Sequence, residues 1–233
     1  PSPVNPWNPE YWVGTSSSGS GVAPSAGLCF ASLGSDTGGS IRYPCATCGL
    51  TGIKPTWGRV SRHGVFALAD SLDHMGPMAR SAADCAAVLQ VIAGWDVQDP
   101  TSLDVPVPDY MAEIGKSVRD MRIGIDRSYA LGGVESQVAD ALESALEVFT
   151  HLGARVVEVT LPDYDALIDA WIGMCAIETA VAHKDTYPAR ADEYGPDLAQ
   201  LIDEGRAMTG MQAAEGRHLR IAFTSSFETI FSD

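Results

Sequence analysis

Basic side chains are scarce in this sequence. The 233 residues include 15 lysines and arginines against 30 aspartates and glutamates, which gives a formal net charge of −15. A surface of this charge repels the phosphate backbone of nucleic acids and the anionic surface of membranes at low salt. The composition therefore argues against nucleic acid and against a membrane as partners.

Long apolar runs and a secretion signal are also lacking. No stretch of 18 apolar residues occurs, and residues 1–7 have neither the basic nor the apolar segment that directs secretion. The hydrophobic share of 45% and the charged share of 19% are typical of a folded globular protein. We therefore expect a cytoplasmic protein without a transmembrane segment.

Cysteine is too sparse and scattered for a disulfide framework. The five cysteines are an odd number spread over the chain, which suits a reducing compartment. Cys45 and Cys48 have the spacing of a redox or zinc pair, but no second pair or histidine cluster completes a metal site. We predict small buried thiols, no metal and no cofactor.

Common nucleotide-binding and hydrolase motifs fail at their essential residue. The segment Gly14–Ser20 has serine where a phosphate-binding loop needs lysine. Neither Ser16 nor Ser40 lies in the Gly-x-Ser-x-Gly motif of the α/β-hydrolases. Thr51–Lys54 imitates a Ser-x-x-Lys motif only with threonine in the place of the nucleophile. We interpret Lys54 as a structural residue.

Two segments rich in glycine and serine, residues 14–21 and 34–40, each adjoin apolar sequence that favours a helix or a strand. Glycines in this setting indicate a close approach of the backbone to a neighbour or ligand more than a flexible linker. We expect the first segment to be a loop that leads into a buried helix across residues 22–33.

Periodicity further along the chain predicts a helix and then a β-α-β unit. Ser81 and Asp84 form a capping pair for a helix that ends at Gly94. The strands of the β-α-β unit should pair in parallel. The predicted strands are 121–126 and 154–161, and the predicted helices are 134–152, 164–182, 196–206 and 208–231.

The order of the small residues resembles the amidase signature family. The segments that carry the resemblance are Gly14-Thr-Ser-Ser-Ser-Gly-Ser-Gly21, Leu33-Gly-Ser-Asp-Thr-Gly-Gly-Ser40-Ile-Arg-Tyr-Pro44, Cys48-Gly-Leu-Thr-Gly-Ile-Lys-Pro-Thr56, Gly58-Arg-Val-Ser61 and Ser71-Leu-Asp-His-Met-Gly-Pro-Met-Ala-Arg80. Residues 5–100 resemble the signature core of that family, and residues 101–233 resemble its variable, mostly helical region. The resemblance implies a single amidase domain over residues 1–233, an α/β fold in which helices cover both faces of a mixed β-sheet.

The resemblance also implies a catalytic site. Members of the family hydrolyse amides, and some members hydrolyse esters or carbamates. They use a Ser-Ser-Lys triad whose middle serine follows a cis peptide bond. By this resemblance Ser40 is the acyl-forming nucleophile and Ser16 is the relay serine. The oxyanion hole would be formed by the backbone N–H groups of Thr37, Gly38, Gly39 and Ser40, and the loop would be supported by Asp36, Arg42 and Ser17.

Lysine is missing where the resemblance requires it. The lysine of the family precedes the relay serine, but only 15 residues precede Ser16 and none is lysine. The three lysines of the chain all follow Ser40, at Lys54, Lys116 and Lys184. We therefore expect a fragment of a longer enzyme, incomplete at both termini, and leave open a non-catalytic relative that has lost the base.

Two further hypotheses stay open. One is a Ser-His-Asp hydrolase in which Ser40 works with His63 or His74 and with Asp70 or Asp73. The other, within the same family, is the amidase component of a tRNA-dependent amidotransferase, which releases ammonia from glutamine or asparagine for a partner. Under the favoured hypothesis the substrate is a small-molecule amide, ester or carbamate, and a homodimer is left open.

Overall fold

The computed structural model describes residues 2–232, and the contacts among them define two units. The first comprises residues 2–114 and 175–207, and the second comprises residues 115–174 and 208–232. Each unit combines strands with helices, and the predicted α/β class is confirmed. The single domain over residues 1–233, whose two end residues lie outside the described ones, stays a prediction.

Five strands and eight α-helices lie within the described residues. The strands are β1 (Ala31–Asp36), β2 (Thr51–Gly52), β3 (His74–Ala79), β4 (Arg122–Ile125) and β5 (Arg155–Glu158). The helices are α1 (Ser18–Ser25), α2 (Arg42–Cys48), α3 (Ala82–Ile92), α4 (Arg127–Leu131), α5 (Ser136–His151), α6 (Asp165–Ala182), α7 (Pro196–Ala207) and α8 (Gly210–Glu228). None of the helices in the described part of the chain is long and apolar enough to cross a membrane.

The sheet of the first unit is antiparallel. Strand β3 lies between β1 and β2 and pairs with both. In the ladder between β1 and β3, Ala31 lies opposite Ala79 at one end and Asp36 lies opposite His74 at the other. The last residue of β1 and the first residue of β3 are therefore neighbours, at the end of the sheet where β1 stops and β3 begins.

The buried helix expected across residues 22–33 is wrong. Helix α1 begins earlier, at Ser18 inside the glycine–serine segment, and residues from Ala31 onward form β1. The sequence of β1, Ala-Ser-Leu-Gly-Ser-Asp, has little β propensity of its own. Its strand geometry comes from pairing with β3, which no local pattern in residues 22–33 could indicate.

The core of the first unit lies where the start of α2 meets the sheet. Ile41, Cys45 and Met78 pack together and are each at most 4% exposed, and Leu50 packs against them. Because Ile41 ends the connection between β1 and α2, this connection is anchored in the core at one end and in the sheet at the other.

The β-α-β unit predicted from periodicity is confirmed in the second unit. Strands β4 and β5 pair in parallel, with Arg122 opposite Arg155 and Ile125 opposite Glu158, and α4 and α5 lie between them in the chain. The parallel and antiparallel pairings of the described residues thus occur in two separate sheets.

The predicted start of α3 and the helices predicted beyond residue 164 are also confirmed. Ser81 Oγ accepts a hydrogen bond from the Asp84 N–H at 3.1 Å, which caps α3 as expected. Helix α8 begins with a capping box in which Thr209 and Gln212 each bond the backbone of the other. Such caps satisfy N–H groups that have no partner within the helix, so the starts of α3 and α8 are fixed by sequence.

Candidate active site

The connection between β1 and α2 is organised around the Asp36 carboxylate, which is fully buried. Asp36 Oδ1 accepts a hydrogen bond from the Gly39 N–H at 2.7 Å, and Oδ2 accepts one from the Ile41 N–H at 3.1 Å. Arg42 adds a two-point contact, with Nε 3.0 Å from Oδ2 and Nη2 2.9 Å from Oδ1. One carboxylate therefore fixes the backbone on both sides of Ser40.

The environment of Asp36 favours its charged form. Burial opposes ionisation, but the hydrogen bonds from Arg42 and Ile41, and the positive charge of Arg42, outweigh burial and lower the pKa of Asp36 below its ordinary value. Asp36 is thus ionised at neutral pH. An ionised carboxylate makes stronger hydrogen bonds to N–H groups than a neutral one, which adds to the rigidity of the connection.

Gly39 occupies a position where only glycine fits. Its φ of 139° is one that residues with a side chain rarely adopt. A Cβ at this position would also lie 2.3 Å from the ring of Tyr43. The glycine therefore lets Tyr43 pack directly against the backbone next to Ser40.

The segment that carries Ser16 is joined directly to the segment that carries Ser40. The Ser17 N–H donates to the Ser40 carbonyl oxygen at 3.3 Å. Ser17 Oγ donates to the Ser35 carbonyl oxygen at 3.2 Å and accepts from the Ser35 N–H at 3.1 Å. The peptide bond between Thr15 and Ser16 is cis, as the family resemblance implies.

The hydroxyl groups of Ser16 and Ser40 are available to a ligand. Within residues 2–232 neither hydroxyl forms a hydrogen bond to another protein group; Ser16 is exposed and Ser40 is half-buried. In the same part of the chain the N–H groups of Thr37, Gly38 and Ser40 also have no protein acceptor, whereas that of Gly39 is used by Asp36. The structure thus brings the sequence-predicted residues together and leaves three of the four expected oxyanion donors open.

A second buried carboxylate, Asp73, also holds this loop, and sequence reasoning missed its role. Thr37 Oγ1 donates to Asp73 Oδ1 at 2.5 Å. Asp73 also accepts from the N–H groups of Leu68 at 2.8 Å and Ala69 at 3.1 Å. Asp73 lies in the Ser71–Arg80 motif that carries the family resemblance, so its presence in a motif was visible but its partner was not.

A comparison with protein families decides the assignment. A family model described as Amidase matches residues 2–228. The chain belongs to the amidase signature family. The resemblance predicted from the serine and glycine motifs is confirmed.

Curated relatives and solved structures in the amidase signature family show the extent of the match. The chain is 50% identical over 233 residues to the candidate amidase AmiD of Mycobacterium tuberculosis, covering 100% of this chain and 49% of that protein. It is 44% identical over 199 residues to a subunit of the glutamyl-tRNA(Gln) amidotransferase of Trichlorobacter lovleyi, covering 85% of this chain and 41% of that protein. A bacterial aryl acylamidase of the family superposes with a TM-score of 0.86 at 29% identity, over 99% of this chain and 49% of that structure. The chain spans about half the length of these proteins.

The contacts seen in this amidase signature chain do not form a Ser-His-Asp triad. Both ring nitrogens of His74 have other partners, the Leu72 and Asp36 carbonyl oxygens at Nδ1 and Lys54 at Nε2. Asp70 pairs with Arg62, and Asp73 binds Thr37 as described above. Among residues 2–232, neither His63 nor His74 forms a hydrogen bond to Ser40.

The prediction of small buried thiols is confirmed for the Cys45–Cys48 pair. Both are free cysteines and at most 4% exposed. Burial raises the pKa of the Cys45 thiol to about 12, so the reactive thiolate is not formed at neutral pH. Across the described residues, no group of three His, Cys, Asp or Glu side chains is arranged to hold a metal ion.

Proposed function

We propose that this chain carries the acyl-forming machinery of an amide hydrolase, with Ser40 as nucleophile and Ser16 as proton relay. The observation that carries the proposal is the hydrogen bond from the Ser17 N–H to the Ser40 carbonyl oxygen at 3.3 Å. It holds the two serine-bearing segments together while both hydroxyls stay free for a substrate. A relay between serines requires hydroxyls that no other protein group engages, carried on segments that are held side by side.

In the proposed mechanism Ser40 Oγ attacks the carbonyl carbon of the substrate amide. The Ser40 proton passes to Ser16 Oγ, and the Ser16 proton passes to a base. The negative charge that develops on the carbonyl oxygen is stabilised by the N–H groups of Thr37, Gly38 and Ser40, and donors of this kind contribute roughly 3–4 kcal/mol each. The Gly39 N–H serves Asp36 instead and keeps the loop in shape.

The tetrahedral intermediate then collapses and the carbon–nitrogen bond breaks. The leaving amine receives a proton through Ser16, and an ester between the acyl group and Ser40 remains. A water molecule attacks this ester by the same route in reverse, which releases the carboxylic acid and regenerates the Ser40 hydroxyl. Esters and carbamates would react by the same steps with a different leaving group.

The resemblance to the family implies that the base of this mechanism is a lysine. A lysine whose pKa is lowered by burial can accept a proton near neutral pH. No lysine precedes Ser16 among the 233 residues. The proposal therefore requires that the lysine come from outside these residues, and it assigns to this chain the nucleophile, the relay and the oxyanion donors.

Linear carboxamides are the proposed substrate class, since the relatives include a candidate amidase and an aryl acylamidase. The proposed location is the cytoplasm, because all five cysteines are free. A second candidate function is the hydrolysis of the glutamine amide within an amidotransferase, which the relative from Trichlorobacter lovleyi favours. Comparing the hydrolysis of glutamine with that of simple linear amides would separate the two.

A serine-reactive fluorophosphonate, followed by intact-mass measurement and peptide mapping, tests the proposal. We expect one adduct, on Ser40. The Ser40→Ala variant should take up no label, and Ser16→Ala should be labelled far more slowly while keeping the wild-type unfolding midpoint. Ser225→Ala, an exposed serine on α8, is the matched control and should label normally. Absence of label on the wild-type chain supplied with the lysine-bearing part would favour a non-catalytic relative.

A further inference from the structure

Lys54 and His74 meet beside the connection between β1 and α2, the loop that bears Ser40. Both side chains are half-buried, and Lys54 Nζ lies 3.2 Å from His74 Nε2. His74 is the first residue of β3 and pairs with Asp36, the residue whose carboxylate holds the loop. The pair therefore lies at the point where the loop leaves the sheet.

The partners of His74 determine where its proton lies. Nδ1 is 2.6 Å from the Leu72 carbonyl oxygen and 3.2 Å from the Asp36 carbonyl oxygen. Two carbonyl acceptors require that Nδ1 carry a hydrogen. A neutral ring protonated at Nδ1 has a bare Nε2, which accepts a hydrogen bond from the Lys54 ammonium group. The contacts of His74 with Lys54, Leu72 and Asp36 are all satisfied in this one arrangement.

The surrounding charges favour the same protonation states. The charged groups that face the pair are Asp36 and Arg42. Burial, followed by the positive charge of Lys54, lowers the pKa of His74 below its ordinary value. Burial, followed by the charge of Arg42, lowers the pKa of Lys54. A second proton on His74 would place an N–H against the Lys54 ammonium group, so the pair is stable only while His74 is neutral.

We propose that Lys54 and His74 form a positioning pair that fixes the Asp36 carbonyl end of β1, and through Asp36 the backbone around Ser40. The pair touches no reacting atom. Its effect passes from Lys54 Nζ to the His74 ring, from the ring to the Asp36 carbonyl oxygen, and from the Asp36 carboxylate to the N–H groups of Gly39 and Ile41. This role in catalysis rests on the proposed function of Ser40.

The structural part of the proposal is tested without activity. Nuclear magnetic resonance of the His74 ring nitrogens should show the Nδ1–H tautomer at neutral pH, with a pKa below the ordinary histidine value. Lys54→Met should raise that pKa, because a nearby positive charge is removed, and should speed amide hydrogen exchange at Gly39 and Ile41. Lys54→Arg should keep slow exchange, since it retains a charged donor. Lys184→Met, an exposed lysine, is the control and should change neither.

The catalytic part is tested by the kinetics of Ser40 labelling in the protein that includes the lysine-bearing part. Lys54→Met and His74→Leu should lower the maximal labelling rate roughly 10- to 100-fold, as small displacements of reacting groups do, with little change in probe affinity. His74→Asn, which keeps an N–H donor near the position of Nδ1, should recover part of the rate. The acid limb of the pH profile should move to higher pH in Lys54→Met, which a merely structural role would not cause.

The outcomes separate the two proposals. An Nε2–H tautomer in the wild type, or unchanged His74 pKa and Gly39 exchange in Lys54→Met, would overturn the positioning pair. Wild-type labelling at Ser40 with no change in rate in Lys54→Met and His74→Leu would overturn its catalytic role. If the wild type takes no label while the ring and exchange results hold, the proposed function of Ser40 fails, and the catalytic role fails with it.

Discussion

Thr37 donates its hydroxyl hydrogen to Asp73 across 36 positions of sequence, with 2.5 Å between Thr37 Oγ1 and Asp73 Oδ1. Asp73 is 5% exposed and accepts the N–H groups of Leu68 and Ala69 as well. The loop that bears Ser40 is therefore held by two carboxylates: Asp36, the last residue of β1, and Asp73, which directly precedes β3. Each can be tested by itself.

Thr37→Val should lower the free energy of unfolding by about 1–3 kcal/mol, because Asp73 Oδ1 loses its shorter hydrogen bond and keeps only the one from the Ala69 N–H at 3.2 Å, while the side-chain volume of residue 37 is kept. The rate of Ser40 labelling should also fall, because Thr37 begins the loop. Thr37→Ser restores the hydroxyl and should recover both quantities. Urea unfolding and labelling kinetics give the two measurements, and Thr224→Val, an exposed threonine on α8, is the control. Equal behaviour of Thr37→Val and Thr224→Val would show that the bond to Asp73 is unimportant.

Acid should remove the contribution of Asp36 to stability. The pKa of Asp36 in the folded protein lies below the ordinary value of 3.8, so in acid the unfolded chain binds this proton first. The contribution is fully present above pH 3.8 and is lost as the pH falls through the lower, folded pKa. Asp36→Asn should therefore be less stable than wild type at pH 7, and the gap should narrow toward pH 3. Urea midpoints of both proteins across this range provide the measurement, with the exposed Asp104→Asn as control. A gap that stayed constant with pH would mean that the charge of Asp36 does not stabilise the loop.

The sequence predicted the features that depend on neighbours in the chain. The Ser81 cap, the parallel pairing of β4 with β5, and the serine–glycine motifs are local patterns, and each is found in the structure. The antiparallel pairing of β1 with β3 depends instead on residues about 40 positions apart, and β1 has no strand pattern of its own. A local pattern cannot indicate such a pairing.

For the same reason, the sequence could not predict which groups a single side chain contacts. Lys54 was interpreted as structural from a failed motif, but its contact with His74 follows from the way β3 returns beside β1. Family resemblance indicated Asp36, Arg42 and Ser17 because they lie within the motifs. It could not indicate which carbonyl oxygens His74 would bind.

Gly39→Ala should be strongly destabilising, because the new Cβ meets the Tyr43 ring and the backbone φ of 139° suits only glycine. Gly19→Ala in α1 is the matched comparison: nothing lies within 4 Å of its Cβ position, and alanine in a helix is favoured by about 0.5–1 kcal/mol. The two changes should thus shift the thermal unfolding midpoint in opposite directions. Adding Tyr43→Ala to Gly39→Ala should restore only part of the loss, since it relieves the contact but not the backbone. Full recovery in the double variant would mean that the φ of Gly39 carries no cost.

Glu178 connects the end of α6 to the segment that Asp73 organises, within the first unit. Its carboxylate accepts the Ser71 N–H at 2.7 Å and the Ser71 hydroxyl at 2.6 Å. Glu178→Ala should therefore speed amide hydrogen exchange at Ser71, because the N–H loses its acceptor, and at neighbouring positions held through Asp73. Glu178→Gln keeps one oxygen acceptor and should give an intermediate rate. Glu147→Ala, which changes an exposed glutamate on α5, should leave exchange at Ser71 unchanged.

The rate of Ser40 labelling in Glu178→Ala shows how far the effect of Glu178 extends, because Asp73 also binds Thr37. Faster exchange at Ser71 together with slower Ser40 labelling would show that α6 supports the loop that bears Ser40. Faster exchange without slower labelling would confine the effect of Glu178 to residues 68–71.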